Sequence, residues 1–198
     1  KTCTYGIIIQ EANDKALAIR FPNMDGSMNI FKQWSAMGKA KSLEEFQDAI
    51  EINTIPLFNI IYADKDQNIL YHFGGNVPKK KGNWDRWQGI VSTSSSADIW
   101  NEYYDYDAVP SYINPEGEWI QNANDPPYTS TVPSTIQYED YPNHIAPNSM
   151  SFRPQRSATL IKNAAPQTLE SFIELKHDTK SQMAIRLRDD LADLESMT

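Results

Sequence analysis

The sequence predicts an α+β fold, in which antiparallel strands and helices occupy separate parts of the chain. Three observations predict it: two pairs of apolar runs in the first 75 residues, helical periodicity in the last third, and a long irregular segment from about Val77 to Pro166. The apolar runs have strand lengths, and short polar turns separate them. We therefore expect hairpins first and helices last.

The first hairpin is predicted from residues 4–9 and 16–21, with Asn13-Asp14-Lys15 as its turn. The isoleucine triplet at 7–9 indicates a strand that is covered on both faces. A helix follows at about Leu43–Ile52, because Ser42 and Glu45 have the spacing of a capping box and the next apolar residues recur every three or four positions.

The second hairpin is predicted from residues 57–63 and 69–74, joined by Asp64-Lys65-Asp66-Gln67-Asn68. The turn begins like a calcium-binding loop, with side-chain oxygens at Asp64, Asp66 and Asn68. Its sixth position is Ile69, where such loops need Gly, and its twelfth is Gly75, where they need Glu. The pattern therefore favours a hairpin turn over a metal site.

The last third predicts two helices. One begins at Gln167 or Thr168, and we expect its apolar residues to face inward (Leu169, Phe172, Ile173). The other follows a second capping box at 179–182 and carries an apolar stripe (Met183, Leu187, Leu191, Leu194).

Composition excludes several functions. The 198 residues carry a net charge of -8 with no basic stripe, so we expect no nucleic acid partner. No apolar run approaches the ~20 residues of a membrane span. Cys3 is the only cysteine, which rules out an intrachain disulfide. The three histidines are far apart, and no phosphate loop or metal-ligand spacing is present, so we expect no metal or cofactor.

One segment could carry chemistry: the aromatic run at 117–120, followed by Gln121-Asn122-Ala123-Asn124-Asp125 and the prolines at 126 and 127. The run could be a strand that delivers Asn124 to a site, where its two amide donors would suit a developing oxyanion. Alternatively these residue types simply form a turn, which local preferences favour.

Arg156 is the second candidate, because it stands at the start of an apolar segment. It could be a half-buried cation that serves a site. An ordinary surface arginine at the start of a helix is the alternative, and the local sequence favours it.

Several motifs in order resemble the penicillin acylase family of N-terminal-nucleophile hydrolases, and they cover nearly the whole chain. They are Tyr62-Ala63-Asp64, residues 75–78, Trp84 with Trp87 and Gly89, Asn114-Pro115, residues 123–127, Arg156-Ser157 and residues 178–181. The Asn-Asp-Pro-Pro form and the Arg-Ser pair resemble most the branch of the aculeacin A and acyl-homoserine-lactone acylases.

This resemblance implies an αββα core and an amidase made as a self-cleaving precursor. The nucleophile is then an N-terminal Ser, whose own α-amine acts as base. Asn124 would donate to the oxyanion, and Arg156 would orient the site, with Arg153 as the alternative match. The substrate would be a small-molecule amide, and the location periplasmic or secreted.

The sequence departs from the family because that Ser is absent. We therefore expect residues 1–198 to be a single partial domain, an internal piece of the large subunit that is inactive alone and partnered by the rest of its precursor. Two other hypotheses stay open: a binding module whose aromatic middle holds a ligand, and a scaffold that braces another subunit.

Overall fold

The computed structural model describes residues 1–24, 29–93, 95–164 and 166–196, without the side chains of residues 189, 190 and 193–196. The α+β prediction is confirmed. The strands are β1 (Thr2–Cys3), β2 (Gly6–Ala12), β3 (Lys15–Ile19), β4 (Ile60–Ala63), β5 (Ile69–His72) and β6 (Ser111–Ile113). The helices are α1 (Ile30–Lys39), α2 (Leu43–Glu51), α3 (Phe152–Lys162), α4 (Leu169–Lys176) and α5 (Gln182–Ser196). None of these described helices is both long and apolar enough to cross a membrane.

The first sheet contains the predicted hairpin, in the antiparallel order β1-β2-β3. Asn13 and Asp14 both have positive φ, as a tight two-residue turn between twisted strands requires. The expectation that the isoleucine triplet is covered on both faces is wrong for this chain, because Ile9 is 59% exposed. Three short strands alone have no second layer to bury such residues.

The second sheet has the order β4-β5-β6, with β5 in the centre. Leu70 and Tyr71 in β5 are fully buried, and they point to opposite faces because strand side chains alternate. Tyr71 stacks on Tyr112 of β6, with ring centroids 5.2 Å apart. The sequence did not predict β6, since its three residues lie alone in the irregular segment and are paired only through β5.

Helices α1 and α2 cover the Leu70 face of this sheet. Phe46 and Ile50 of α2 join Ile60 and Leu70 in one apolar cluster. The predicted cap of α2 is present, because the Ser42 hydroxyl accepts from the Glu45 N–H at 3.2 Å. Replacing Leu70 with Ala would leave a cavity that typically costs about 2–5 kcal/mol.

The middle of the chain is irregular, as predicted, apart from β6, α3 and several single turns of 3₁₀ helix. It builds a second apolar cluster around Val77, Val109, Tyr128 and Ile145. Irregular backbone can be buried here because the aromatic side chains of the same segment pack on it.

The last two helices begin near the predicted positions. Thr168 caps α4, as predicted, whereas Ser181 caps α5 in place of Thr179, the first residue of the predicted capping box. The expected inward orientation of the first helix is wrong, because Leu169 is 71% exposed and Phe172 and Ile173 are also exposed. Met183, Leu187 and Leu191 of the α5 stripe are exposed as well. The side chain of Leu194 lies outside the described residues. Helical periodicity correctly predicted these helices, but it does not specify what covers their apolar faces.

Candidate active site

The segment around Asn124 is a turn, which confirms the local alternative and shows that the strand interpretation of residues 117–120 was wrong. The side chain of Asn122 accepts from the Asn124 N–H at 3.2 Å, and the side chain of Asp125 accepts from the Ala123 N–H at 2.9 Å. Asn124 adopts the left-handed conformation with φ 64°. Asn tolerates this conformation better than most residues, so the sequence suits the turn.

Asp125 is the buried centre of this turn, with only 5% of its surface exposed. Its Oδ2 accepts from Gln121 Nε2 and from Thr129 Oγ1, both at 2.8 Å. Its Oδ1 accepts from the Ala123 N–H and, at 3.5 Å, from Asn122 Nδ2. A buried carboxylate is tolerated only with such partners, and these bonds fix the backbone on both sides of Asn124.

The turn is also tied to the second sheet through Asn59, which immediately precedes β4. Asn59 Nδ2 donates to Asn122 Oδ1 at 3.3 Å, and Asn59 Oδ1 accepts from the Gly74 N–H at 3.0 Å. A Cβ on Gly74 would collide with the backbone of Phe58, so only glycine permits this approach. The position of the turn therefore follows the sheet.

The Asn124 side chain is exposed, and its Oδ1 accepts from Arg153 Nη2 at 2.7 Å. A guanidinium can only donate, so the amide atom that faces it must be the oxygen. The amide nitrogen is thereby turned away from Arg153, and it donates no hydrogen bond to any described residue. Asn124 thus presents two N–H donors that no described residue uses, and the contact with Arg153 favours one orientation of the amide.

Arg156 lies one turn further along α3, and its guanidinium contacts Asp178 instead of Asn124. Its Nε and Nη2 donate to the two carboxylate oxygens at 2.8 Å each. Both side chains are mostly buried, with 19% and 18% exposed. The hydrogen bonds from Arg156 hold the pKa of Asp178 below its usual value. This bidentate pair fixes α3 to the junction between α4 and α5.

Two cavities flank the turn. One, of about 310 Å³, is lined by Asn124 and Asp125 together with Gly74, Phe73 and apolar residues. The other, of about 680 Å³, lies on the side of α3, and its wall includes Arg153 and Arg156. The candidate donor and Arg153 thus meet at the turn, whereas Arg156 lines only the larger cavity, and both cavities are large enough for a small molecule.

Comparison with known proteins shows which family the chain belongs to. The family model for penicillin amidase matches residues 1–198, which is the full length of the chain. The chain belongs to the penicillin amidase family. This membership confirms the family part of the sequence-based resemblance.

The fold of this penicillin amidase family chain is similar to that of the thermostable penicillin G acylase from Alcaligenes faecalis. The TM-score is 0.64 at 18% sequence identity, and the match covers 88% of this chain and 30% of the acylase chain. At that identity the match shows the fold. The chain spans less than a third of the length of this relative.

Sequence analysis missed the supports of Asn124, namely Asp125, Asn59 and Asn122. The available signal was the run of Asn and Asp before two prolines, which is typical of side chains that bond nearby backbone. It could not reveal that Asp125 turns inward or that Asn59, distant in sequence, reaches the turn.

Two of the three histidines of this family member are buried, and the third, His177, is exposed at the end of α4. His72 is buried and stacks on Tyr106, and burial lowers its pKa to about 4. His144 is also buried, and its Nε2 accepts from the Lys80 N–H at 3.4 Å. Among the described residues, no group of three or more His, Cys, Asp or Glu side chains could hold a metal ion.

Proposed function

We propose that this chain is part of an amidohydrolase that removes an acyl group from a small-molecule amide. The observation that carries the proposal is the Asn124 carboxamide, which the turn and Arg153 hold with both amide donors facing away from the protein's own acceptors. Membership of the penicillin amidase family supports the reaction class.

The chemistry would begin on a Ser at the N-terminus of the large subunit, supplied by another segment of the parent protein. Its Oγ attacks the amide carbonyl and its α-amine takes the proton, so a tetrahedral oxyanion forms. Asn124 Nδ2 donates to that oxyanion. The C–N bond then breaks, the amine leaves with the proton, and water hydrolyses the acyl ester. One such donor typically contributes 10²–10³-fold in kcat.

Arg156 orients the site in this proposal, since its bond to Asp178 fixes the helix that also carries Arg153. Arg153 is the alternative, because it contacts Asn124 directly. Variants of both arginines separate these roles, as described in the Discussion.

The wider assignment follows the family. We propose that residues 1–198 form one partial domain of the large subunit, made as a self-cleaving precursor and located in the periplasm or outside the cell. Acyl-homoserine lactones, lipopeptides or β-lactams are the proposed substrate types, with the aculeacin A and acyl-homoserine-lactone acylases as the nearest branch. The isolated chain is inactive in this proposal, because the nucleophile is elsewhere.

The test is expression of the full-length parent, with mass spectrometry to locate a new N-terminal Ser. We expect two chains and hydrolysis of acyl p-nitroanilides by the processed enzyme, but none by the 198-residue chain. A parent that stays uncleaved and inactive would contradict the amidase, and hydrolysis by the isolated chain would contradict the partial-domain proposal.

The alternative of an aromatic ligand surface finds less support. The ring centroids of Trp87 and Trp100 are 5.8 Å apart. Lys80 Nζ lies over both rings, 5.3 Å from the Trp87 centroid and 5.5 Å from the Trp100 centroid. These ring faces are therefore already occupied by a cation of the same chain.

A further inference from the structure

Asn124 depends on its neighbour for its position. Its backbone is left-handed, a conformation that Asn tolerates better than most residues but that neighbouring contacts must still select. Its own side chain cannot impose it, because its one bond goes to Arg153. The constraint must therefore come from the residues on either side.

Asp125 supplies most of that constraint. Through the Ala123 N–H it holds the residue before Asn124, and through Gln121 and Thr129 it holds the chain entering and leaving the turn. Asn122, which binds the Asn124 N–H, is itself contacted by the same carboxylate at 3.5 Å. Each bond that shapes the turn thus involves Asp125 or a residue that it holds.

The buried surroundings leave Asp125 little freedom to move. It lies near Tyr71 and Tyr112 of the second sheet, where burial raises the pKa of both hydroxyls and the nearby Asp125 raises it further. Both tyrosines therefore stay neutral, and they add no second negative charge beside the Asp125 carboxylate.

We propose that Asp125 is a positioning residue for the reaction: it holds the Asn124 carboxamide in the geometry that meets the oxyanion. This inference rests on the proposed function of Asn124. Asp125 does not touch substrate in it. Replacing Asp125 with Asn keeps the size of the side chain and exchanges one acceptor oxygen for a donor nitrogen. In either orientation of the amide this nitrogen would face an N–H donor, of Gln121 on one side or of Ala123 on the other.

The experiment is a double-mutant cycle in the processed full-length enzyme, with Asn124→Gly, Asp125→Asn and both together. Glycine at 124 removes the carboxamide without straining the left-handed backbone. The readouts are kcat and KM for an acyl p-nitroanilide, the inhibition constant of a boronic acid with the same acyl chain, and Tm. The boronate mimics the tetrahedral oxyanion and so reports on the donor.

We expect Asp125→Asn to lower kcat about tenfold or more, with KM within about twofold, because a misplaced donor loses transition-state binding. The inhibition constant of the boronic acid should rise by a similar factor. In the Asn124→Gly background, Asp125→Asn should lower kcat by less than about twofold, because the group that it positions is gone.

Equal loss of kcat in both backgrounds would overturn the positioning role, since Asp125 would then act independently of Asn124. Near-normal kcat in Asn124→Gly alone would instead overturn the proposed function. Thr129→Val removes one donor to Asp125, together with the contact of the same hydroxyl to the Pro126 carbonyl, and should show a weaker form of the same pattern; it carries the test if Asp125→Asn does not fold.

Asp64→Asn is the matched control. Asp64 also accepts four hydrogen bonds in a turn, from the backbone N–H groups of Asp66 and Asn68, the Asn68 amide and the Tyr62 hydroxyl. It should lower Tm and leave kcat and the boronate constant unchanged. A fall in kcat as large as that of Asp125→Asn would show that any weakened turn impairs the enzyme, and would refute the specific role.

Discussion

Two turns in this protein are built around a carboxylate, and only one of them presents a candidate catalytic group. In the β4–β5 turn, Asp64 Oδ1 accepts from the N–H groups of Asp66 and Asn68 at 2.9 Å each. In the Asn124 turn, Asp125 accepts from the N–H of Ala123, which precedes it. The first carboxylate is half-buried and the second is buried.

The difference is in what the distant partners hold. Asn114, 46 residues after Asn68, donates its amide Nδ2 to Asn68 Oδ1 at 3.2 Å and so anchors the hairpin turn. In the Asn124 turn, Asn59, 63 residues before Asn122, holds the turn, and Arg153, 29 residues after Asn124, holds the candidate group itself. Tertiary contacts fix both turns, but only in the second do they reach the side chain that is presented.

The largest effect should follow removal of the Asn124 carboxamide. Asn124→Ala and Asn124→Gly in the processed enzyme should both lower kcat about 10²–10³-fold, because each removes the oxyanion donor. Only Ala strains the left-handed backbone, by about 1–2 kcal/mol, so only Ala should lower Tm clearly. Steady-state kinetics with thermal unfolding measures both.

Asn114→Ala is the control on the hairpin side. Asn114 also has positive φ, and its Oδ1 accepts from the Ile69 N–H at 2.8 Å. It should lower Tm and preserve kcat. Retention of activity by Asn124→Gly, with loss in Asn124→Ala, would mean that backbone strain and not the carboxamide explains the effect.

An intermediate effect is expected for the arginines. Arg153→Met should lower kcat about tenfold at nearly unchanged Tm, because the Asn124 amide can then rotate. Arg156→Met should lower Tm together with kcat, since it releases α3. Kinetics and thermal unfolding of the two variants, side by side, measure the separation.

Asp178→Asn tests whether Arg156 acts through its ion pair. If it does, Asp178→Asn should reproduce the loss of Tm and kcat seen in Arg156→Met. A large loss of kcat in Arg156→Met with a normal Asp178→Asn enzyme would assign Arg156 a direct role at the reacting atoms.

The smallest effect should be the pH dependence of the hairpin turn. The hydrogen bonds from Asn68 hold the pKa of Asp64 below its usual value, so its contribution to stability is present above the unfolded pKa of about 3.9. It is lost as pH falls from there through the lower folded pKa. The Tm advantage of wild type over Asp64→Asn should therefore be constant near neutral pH and shrink below about pH 4.

Asp66→Asn is the comparison for this titration. The Asp66 carboxylate forms an ion pair with the exposed Lys65, and such pairs contribute little. Its Tm difference from wild type should stay small at all pH values. An Asp64→Asn difference that grows on acidification would contradict the assigned sign.

Much of the fold could be predicted from the sequence where the signal is local. Both hairpins, α2 and the starts of α4 and α5 follow from periodicity, turn residues and caps. The short strand β6 and the helices α1 and α3 were missed. β6 exists because β5 pairs with it, and α1 is fixed in part by the buried Gln33, which accepts from the Thr54 and Ile55 N–H groups.

The sequence provided the candidate residues of the site but not their arrangement. Asn124 and Arg156 were identified from sequence and resemblance, and Arg153 was the open alternative. The structure brings Arg153 to Asn124 and directs Arg156 to Asp178, although both arginines lie on one helix. Residues three apart in an α-helix lie on nearly the same face, so their spacing alone could not show which arginine reaches Asn124.

The sequence by itself determined the α+β class, the family resemblance and the tendency of residues 122–125 to turn, because these depend on neighbouring side chains and their backbone. Tertiary structure alone decided that Asp125 is buried beneath Asn124, that Asn59 ties the turn to the sheet, and that Arg153 sets the direction of the carboxamide. These contacts join residues far apart in the chain, and only packing of the whole fold brings them within hydrogen-bonding distance.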